Sequence, residues 1–102
     1  MSEIVSYKKR QKIIKIGELL ENKRKSLGKQ YSSREKFIEN RSKEIFNGDA
    51  WISTRHLANI ESGKNWLSVE LLIKHSYALE MEPIELFREI VELLREETTF
   101  PL

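Results

Sequence analysis

The apolar residues of this 102-residue chain recur at steps of three and four, and nowhere do they alternate over a useful length. With only two prolines and four glycines, that spacing predicts an all-α fold. The length fits one domain, residues 1–102, with enough chain to bury a core without metal or disulfide support. The sequence holds no internal repeat, low-complexity segment or linker.

Cysteine is absent, which excludes disulfides and cysteine-ligated zinc and suits a reducing, cytoplasmic home. The N-terminus, MSEIVSYKKRQK, is charged and lacks the apolar stretch of a secretion signal. No run approaches the roughly 18 apolar residues of a membrane span. A cytoplasmic protein with no membrane partner is expected.

Net charge is only +2, but it is unevenly spread. Residues 1–30 carry nine Lys/Arg against three Glu, whereas residues 80–97 carry seven Glu against Arg88 and Arg95. One end can meet a polyanion that the other would repel. Two solvated helix faces of opposite sign would give the same totals.

Five helices are expected. The first runs from about Ser6 to Leu27, with Gly28 as its left-handed stop and Ile13, Ile16, Leu20 and Leu27 on one stripe. Arg24 falls on that stripe, so its guanidinium needs an inward partner. Ser32 or Ser33 caps the second helix, whose inward residues are Phe37, Ile38, Ile45 and Phe46, and the turn residues NGDA end it. Trp51 and Ile52 read as core.

Ser53 caps a third helix that Gly63 stops. At 100° per residue Leu57, Ile60 and Glu61 share one side, and Thr54, Arg55, Ala58, Asn59 and Ser62 the other. Glu61 is therefore the partner expected for Arg24. Ser68 caps a fourth helix carrying Val69, Leu71, Leu72, Ala78 and Leu79. Pro83 opens a fifth, residues 83–96, whose apolar arc of about 160° exceeds what one core contact uses. Phe87, Ile90, Leu93 and Leu94 are the residues expected at a dimer seam, a cover by the N-terminal segment being the alternative.

The stretch STRHLANIESGKN, followed by SVELLIKHSYALEMEPIELF, resembles the Cro and phage-repressor type of helix-turn-helix domain, the XRE or lambda-repressor-like family. The resemblance spans roughly Lys15 to Phe87. It implies a five-helix DNA-binding domain with the third helix as recognition helix, and it matches Arg24 and Glu61 to an ion pair of such domains. Two departures stand out. About nine extra residues lie between Ile38 and Ser53, so the connection from helix 2 to helix 3 is lengthened. Leu67 stands where many members have proline.

By that match Thr54, Arg55 and Asn59 occupy base-reading positions, with His56 either a further contact or a packing residue. Arg suits guanine O6 and N7, Asn suits adenine N6 and N7, and Thr offers a methyl or hydroxyl. Ser33, Arg34, Ser53, Lys64 and Asn65 are the expected phosphate contacts, which fix register without reading sequence. Within the basic N-terminal segment, residues 1–14, Lys8, Lys9, Arg10 and Lys12 would form an arm along the DNA. The bland alternative for each is an ordinary solvated surface residue. His75 reads as a satisfied structural histidine.

The resemblance thus implies a cytoplasmic transcription regulator, most simply a repressor, that binds double-stranded DNA as a homodimer at an inverted repeat. Such regulators are common on bacterial mobile elements. No catalytic residue, metal site, cofactor or small-molecule ligand is evident. The rival is a protein-interaction module, such as a helix-turn-helix antitoxin or an antagonist of another regulator, with the acidic fifth helix as its surface.

Overall fold

The computed structural model describes the backbone of residues 2–97 and the side chains of residues 10–95. Five α-helices and one 3-10 turn make up its regular structure: α1 (Ser2–Lys25), the 3-10 turn (Lys29–Tyr31), α2 (Arg34–Ile45), α3 (Thr54–Glu61), α4 (Val69–Ala78) and α5 (Pro83–Glu97). No strand occurs among the described residues, and none of their helices is long and apolar enough to cross a membrane.

Local chemistry accounts for the boundaries. Ser33, Ser53 and Ser68 each accept a hydrogen bond from the backbone N–H three residues on, satisfying an otherwise unpaired donor of α2, α3 and α4. Pro83 sits at the first position of α5, where its missing N–H is harmless. The basic Lys23, Arg24 and Lys25 close α1 at the negative end of its dipole.

The first helix begins earlier than expected, at Ser2, because the segment Ser2 to Val5 contains no glycine or proline to break it. It ends two residues before Leu27. Gly28 adopts φ 126° and ψ 177°, an extended glycine conformation that leads into the 3-10 turn, not a left-handed helix stop.

α1 packs on α3 and α5, α2 on α3 and α4, and α4 on α5. The core between them is built from Ile16 and Leu20 of α1, Phe37 of α2, Leu57 and Ile60 of α3, Leu71 of α4, and Leu86 and Ile90 of α5. Trp51 and Ile52 are buried as expected. Two apolar residues read as inward or core-bearing, Ile45 and Val69, are exposed. Arg41 and Ser42 are buried on α2 instead.

The additional residues before α3 extend α2 to Ile45 and then form a pinned loop. Asn47 and Gly48 turn the chain with positive φ. Ser42 Oγ donates to Asp49 O at 2.7 Å, Trp51 Nε1 reaches Ile38 O at 3.4 Å, and Phe46 stacks on Trp51 with centroids 5.1 Å apart. Trp51 therefore delivers the chain to Ser53 from a fixed point.

Candidate nucleic-acid interface

Eight residues are too few to hold a helix in water, so α3 depends on its neighbours. At its end Gly63 N–H donates to Ile60 O (3.1 Å) and Lys64 N–H to Asn59 O (2.8 Å), the two bonds of a Schellman motif. Gly63 takes φ 82°, and a Cβ there would lie 2.7 Å from Ile14 Cα. On α1, a Cβ at Gly17 would come within 2.5 Å of the carbonyl oxygens of Ile60 and Glu61. The two helices thus meet backbone to backbone. Gly17 escaped the sequence reading, although a lone glycine inside a helical pattern is the signal for such an approach.

The inward face of α3 is Leu57, Ile60 and Glu61. The buried Glu61 carboxylate accepts from Arg24 Nε (2.8 Å), Arg24 Nη2 (2.9 Å) and Arg34 Nε (2.8 Å). Arg24, only 2% exposed, donates through Nη1 to the carbonyls of Tyr31 (3.1 Å) and Ser32 (2.6 Å). Glu21 lies 3.3 Å from Arg34 and 3.7 Å from Arg24. Two arginines and two glutamates so join α1, the 3-10 turn, α2 and α3 at one point. The hydrogen bonds offset the large desolvation of the buried charges. Arg34, expected to reach for phosphate, is held inward as the second arginine of this hub.

The outward face is differently occupied. Thr54 and Arg55 are exposed, and His56, Ala58 and Asn59 are half-buried. Among the described residues Thr54 and Arg55 make no side-chain hydrogen bond or ion pair. Ser53 is exposed but its hydroxyl caps α3, and the half-buried Ser33 caps α2. Lys64 and Asn65 are exposed just past the Schellman turn.

The basic segment is helical and not an extended stretch of chain. Its backbone from Ser2 onward is the first half of α1, with Arg10 exposed and Lys12 half-buried on that helix. Because Gly63 rests on Ile14, Arg10 stands near Lys64, and both line one shallow depression with Ser62. The side chains of Lys8 and Lys9 lie outside the described residues.

The four residues expected at a dimer seam do not share a free face. Ile90 is in the core, Leu93 and Leu94 pack against it, and only Phe87 is exposed. α1 covers this side of α5, and Lys23 bridges to Glu89 at 2.9 Å.

A second buried arginine also escaped the sequence reading. Arg41 Nε donates to Ala78 O (2.8 Å) at the C-terminal end of α4, and Nη1 donates to Glu44 (3.2 Å). Its guanidinium lies 4.2 Å over the Tyr31 ring. Nη2 is 3.2 Å from Glu80 Oε2 but outside hydrogen-bond geometry.

His75 is fully buried beside Phe37 and Trp51, with ring centroids 6.3 and 5.6 Å away. It is structural but not satisfied, since among the described residues neither ring nitrogen has a hydrogen-bond partner. Burial pushes its pKa down to about 4, Glu61 opposing and Arg24 assisting. Among the described residues no three His, Asp or Glu side chains converge as a metal ion requires. Comparison with families of known proteins, with curated proteins and with solved structures finds no match to this chain.

Proposed function

We propose that this chain is a lambda-repressor-like DNA-binding domain that reads duplex sequence with α3 and regulates transcription, most simply as a repressor. The division of α3 supports this best: Leu57, Ile60 and Glu61 anchor it, while the exposed Thr54 and Arg55 make no side-chain bond among the described residues. A B-DNA major groove admits one helix, and side chains near its N-terminus reach the base edges. Arg55 would read guanine, Asn59 adenine, and Thr54 a thymine methyl or a phosphate, with His56 beside them.

Ser53, Lys64 and Asn65 would hold phosphates at the two ends of α3, and Arg10 would add a contact from α1 in place of an extended arm. Ser33 caps the neighbouring α2 and can lie against the same backbone, whereas Arg34 stays with the internal hub. Binding as a homodimer at an inverted repeat, about one helical turn between recognition helices, follows from the same reading.

Selection from a random duplex pool, then fluorescence anisotropy on the selected site, tests it. Arg55→Ala is expected to weaken specific binding by about 1–3 kcal/mol and relax one base position. Lys64→Ala should weaken all sequences alike and flatten the salt dependence. If Arg55→Ala is neutral on the selected site, α3 is not the reader. Failure to bind any duplex at low salt would favour the protein-interaction module.

A further inference from the structure

One groove reaches from the surface down to the core. It lies between α1, the end of α3, the α3–α4 turn, α4 and α5, and its volume is about 110 Å³. The buried Ile16, Ile60 and Ile90 floor it, while Trp66, Val69 and Phe87, each more than half exposed, stand at its mouth. No short motif marks it, because its walls come from four helices and a turn.

We infer that this groove is a binding site for a small uncharged molecule with one aromatic ring and one hydrogen-bonding group. Size limits the guest first. A closed apolar cavity of about 150 Å³ holds benzene, so this smaller but open one takes a single ring whose substituent extends to the mouth. Charge limits it next. Among the described residues no charged side chain lines the groove, so an ionised guest would lose water without gaining a counter-charge. The aromatic class follows from the mouth, where the rings of Trp66 and Phe87 can pair with a third. Polar partners come from the turn. Among the described residues the Asn65 carboxamide and Trp66 Nε1 make no hydrogen bond, and Ser68 Oγ, which accepts from Leu71 N–H, keeps its own proton to donate.

The groove also touches the proposed reading helix. Ile60 belongs to the anchored face of α3, and Lys64 N–H and Asn65 N–H both donate to Asn59 O, at 2.8 and 3.2 Å. A guest seated between Ile60 and Trp66 would stiffen the turn that carries Lys64 and Asn65, lowering the cost of ordering it on a duplex. Only this coupling rests on the DNA reading; the binding site does not.

Phenol, uncharged at neutral pH, is the probe, and benzoate, which joins the same ring to a charge, is its control. In two-dimensional NMR of the whole chain, phenol should shift the Trp66 indole N–H and the methyls of Ile60 and Ile90. The shifts should saturate with a dissociation constant of about 1 mM or below. Benzoate should bind at least about 10-fold more weakly. Val69→Trp, at a position 75% exposed, should block the mouth without disturbing the fold and weaken phenol at least about 10-fold. Ile73→Trp, at an exposed position of α4 outside the groove, should bind phenol as the wild type does. Failure to saturate, equal binding of benzoate, shifts confined to other parts of the molecule, or a Val69→Trp variant that binds normally overturns the site. Anisotropy on a selected duplex separates the two readings. A chain that binds duplex but not phenol defeats the site alone, and one that binds phenol but no duplex defeats the DNA reading alone. With both bound, phenol should tighten the duplex about 5-fold, and an unchanged affinity overturns the coupling.

Discussion

Arg24 and Arg41 are both buried, and they hold different parts of the molecule in different ways. Arg24 faces Glu61, a carboxylate with no access to water, and together with Arg34 the pair joins four elements. Arg41 anchors the extended α2 to a backbone carbonyl of α4, and its carboxylate neighbours Glu44 and Glu80 are open to solvent. In the first hub both charges are out of water, and each is the other's counter-charge. In the second, the acids can return to water when the arginine is lost. Burial of the arginine alone therefore does not decide how much a hub stabilises; burial of its counter-charge does.

The largest expected effect follows directly. Glu61→Ala leaves Arg24 and Arg34 facing each other without their shared carboxylate and should destabilise by about 3–5 kcal/mol in urea denaturation. A loss below that of Arg41→Leu would reverse the ranking of the two hubs.

Next comes acid. His75 is neutral when folded, with its pKa lowered to about 4 from an ordinary value near 6.5. Between those values the unfolded chain binds a proton that the folded chain refuses. Stability should therefore fall as pH drops through that window, by about 3 kcal/mol in total, and the loss should level off below it. His75→Leu should flatten the dependence in that window, measured as midpoint against pH. A slope unchanged by that substitution would show that His75 is not the group that makes the fold acid-sensitive.

Arg41→Leu should cost about 1–3 kcal/mol, chiefly by leaving Ala78 O without its donor. Glu44→Gln should cost less than about 1 kcal/mol, because that carboxylate is exposed and its ion pair is solvated. A thermal melt comparing these two variants would sharpen the claim that the backbone contact, not the surface acid, makes Arg41 useful.

The same two arginines show what a sequence can reveal. Arg24 was legible because it interrupts an apolar stripe, and Glu61 interrupts another, so each helix advertised a missing partner. Arg41 was hidden because its main acceptor is a backbone carbonyl, which has no residue type. Serine caps and Gly63 were readable for the opposite reason: their chemistry is local to a few residues. Ile45 and Val69 misled, since helical spacing records a preference for burial but not whether another element arrives. The inward turn of Arg34 was unreadable too, because it depends on where α1 and α3 bring Glu21 and Glu61 together. The expected seam failed similarly: α1, by covering Ile90, moved the free apolar surface round to Phe87 and Ile84.

The loop before α3 has a consequence for tolerance to change. Ser42 fastens it at Asp49, and Trp51 fastens its far side through Ile38 and Phe46, while Asn47 and Gly48 form an exposed tip. The start of α3 is therefore surveyed from the aromatic cluster and not from the length of the connection. Residues inserted between Asn47 and Gly48 would lengthen the tip while the Trp51 anchor stayed in place. That makes the tip a natural attachment point for a label or a fused peptide.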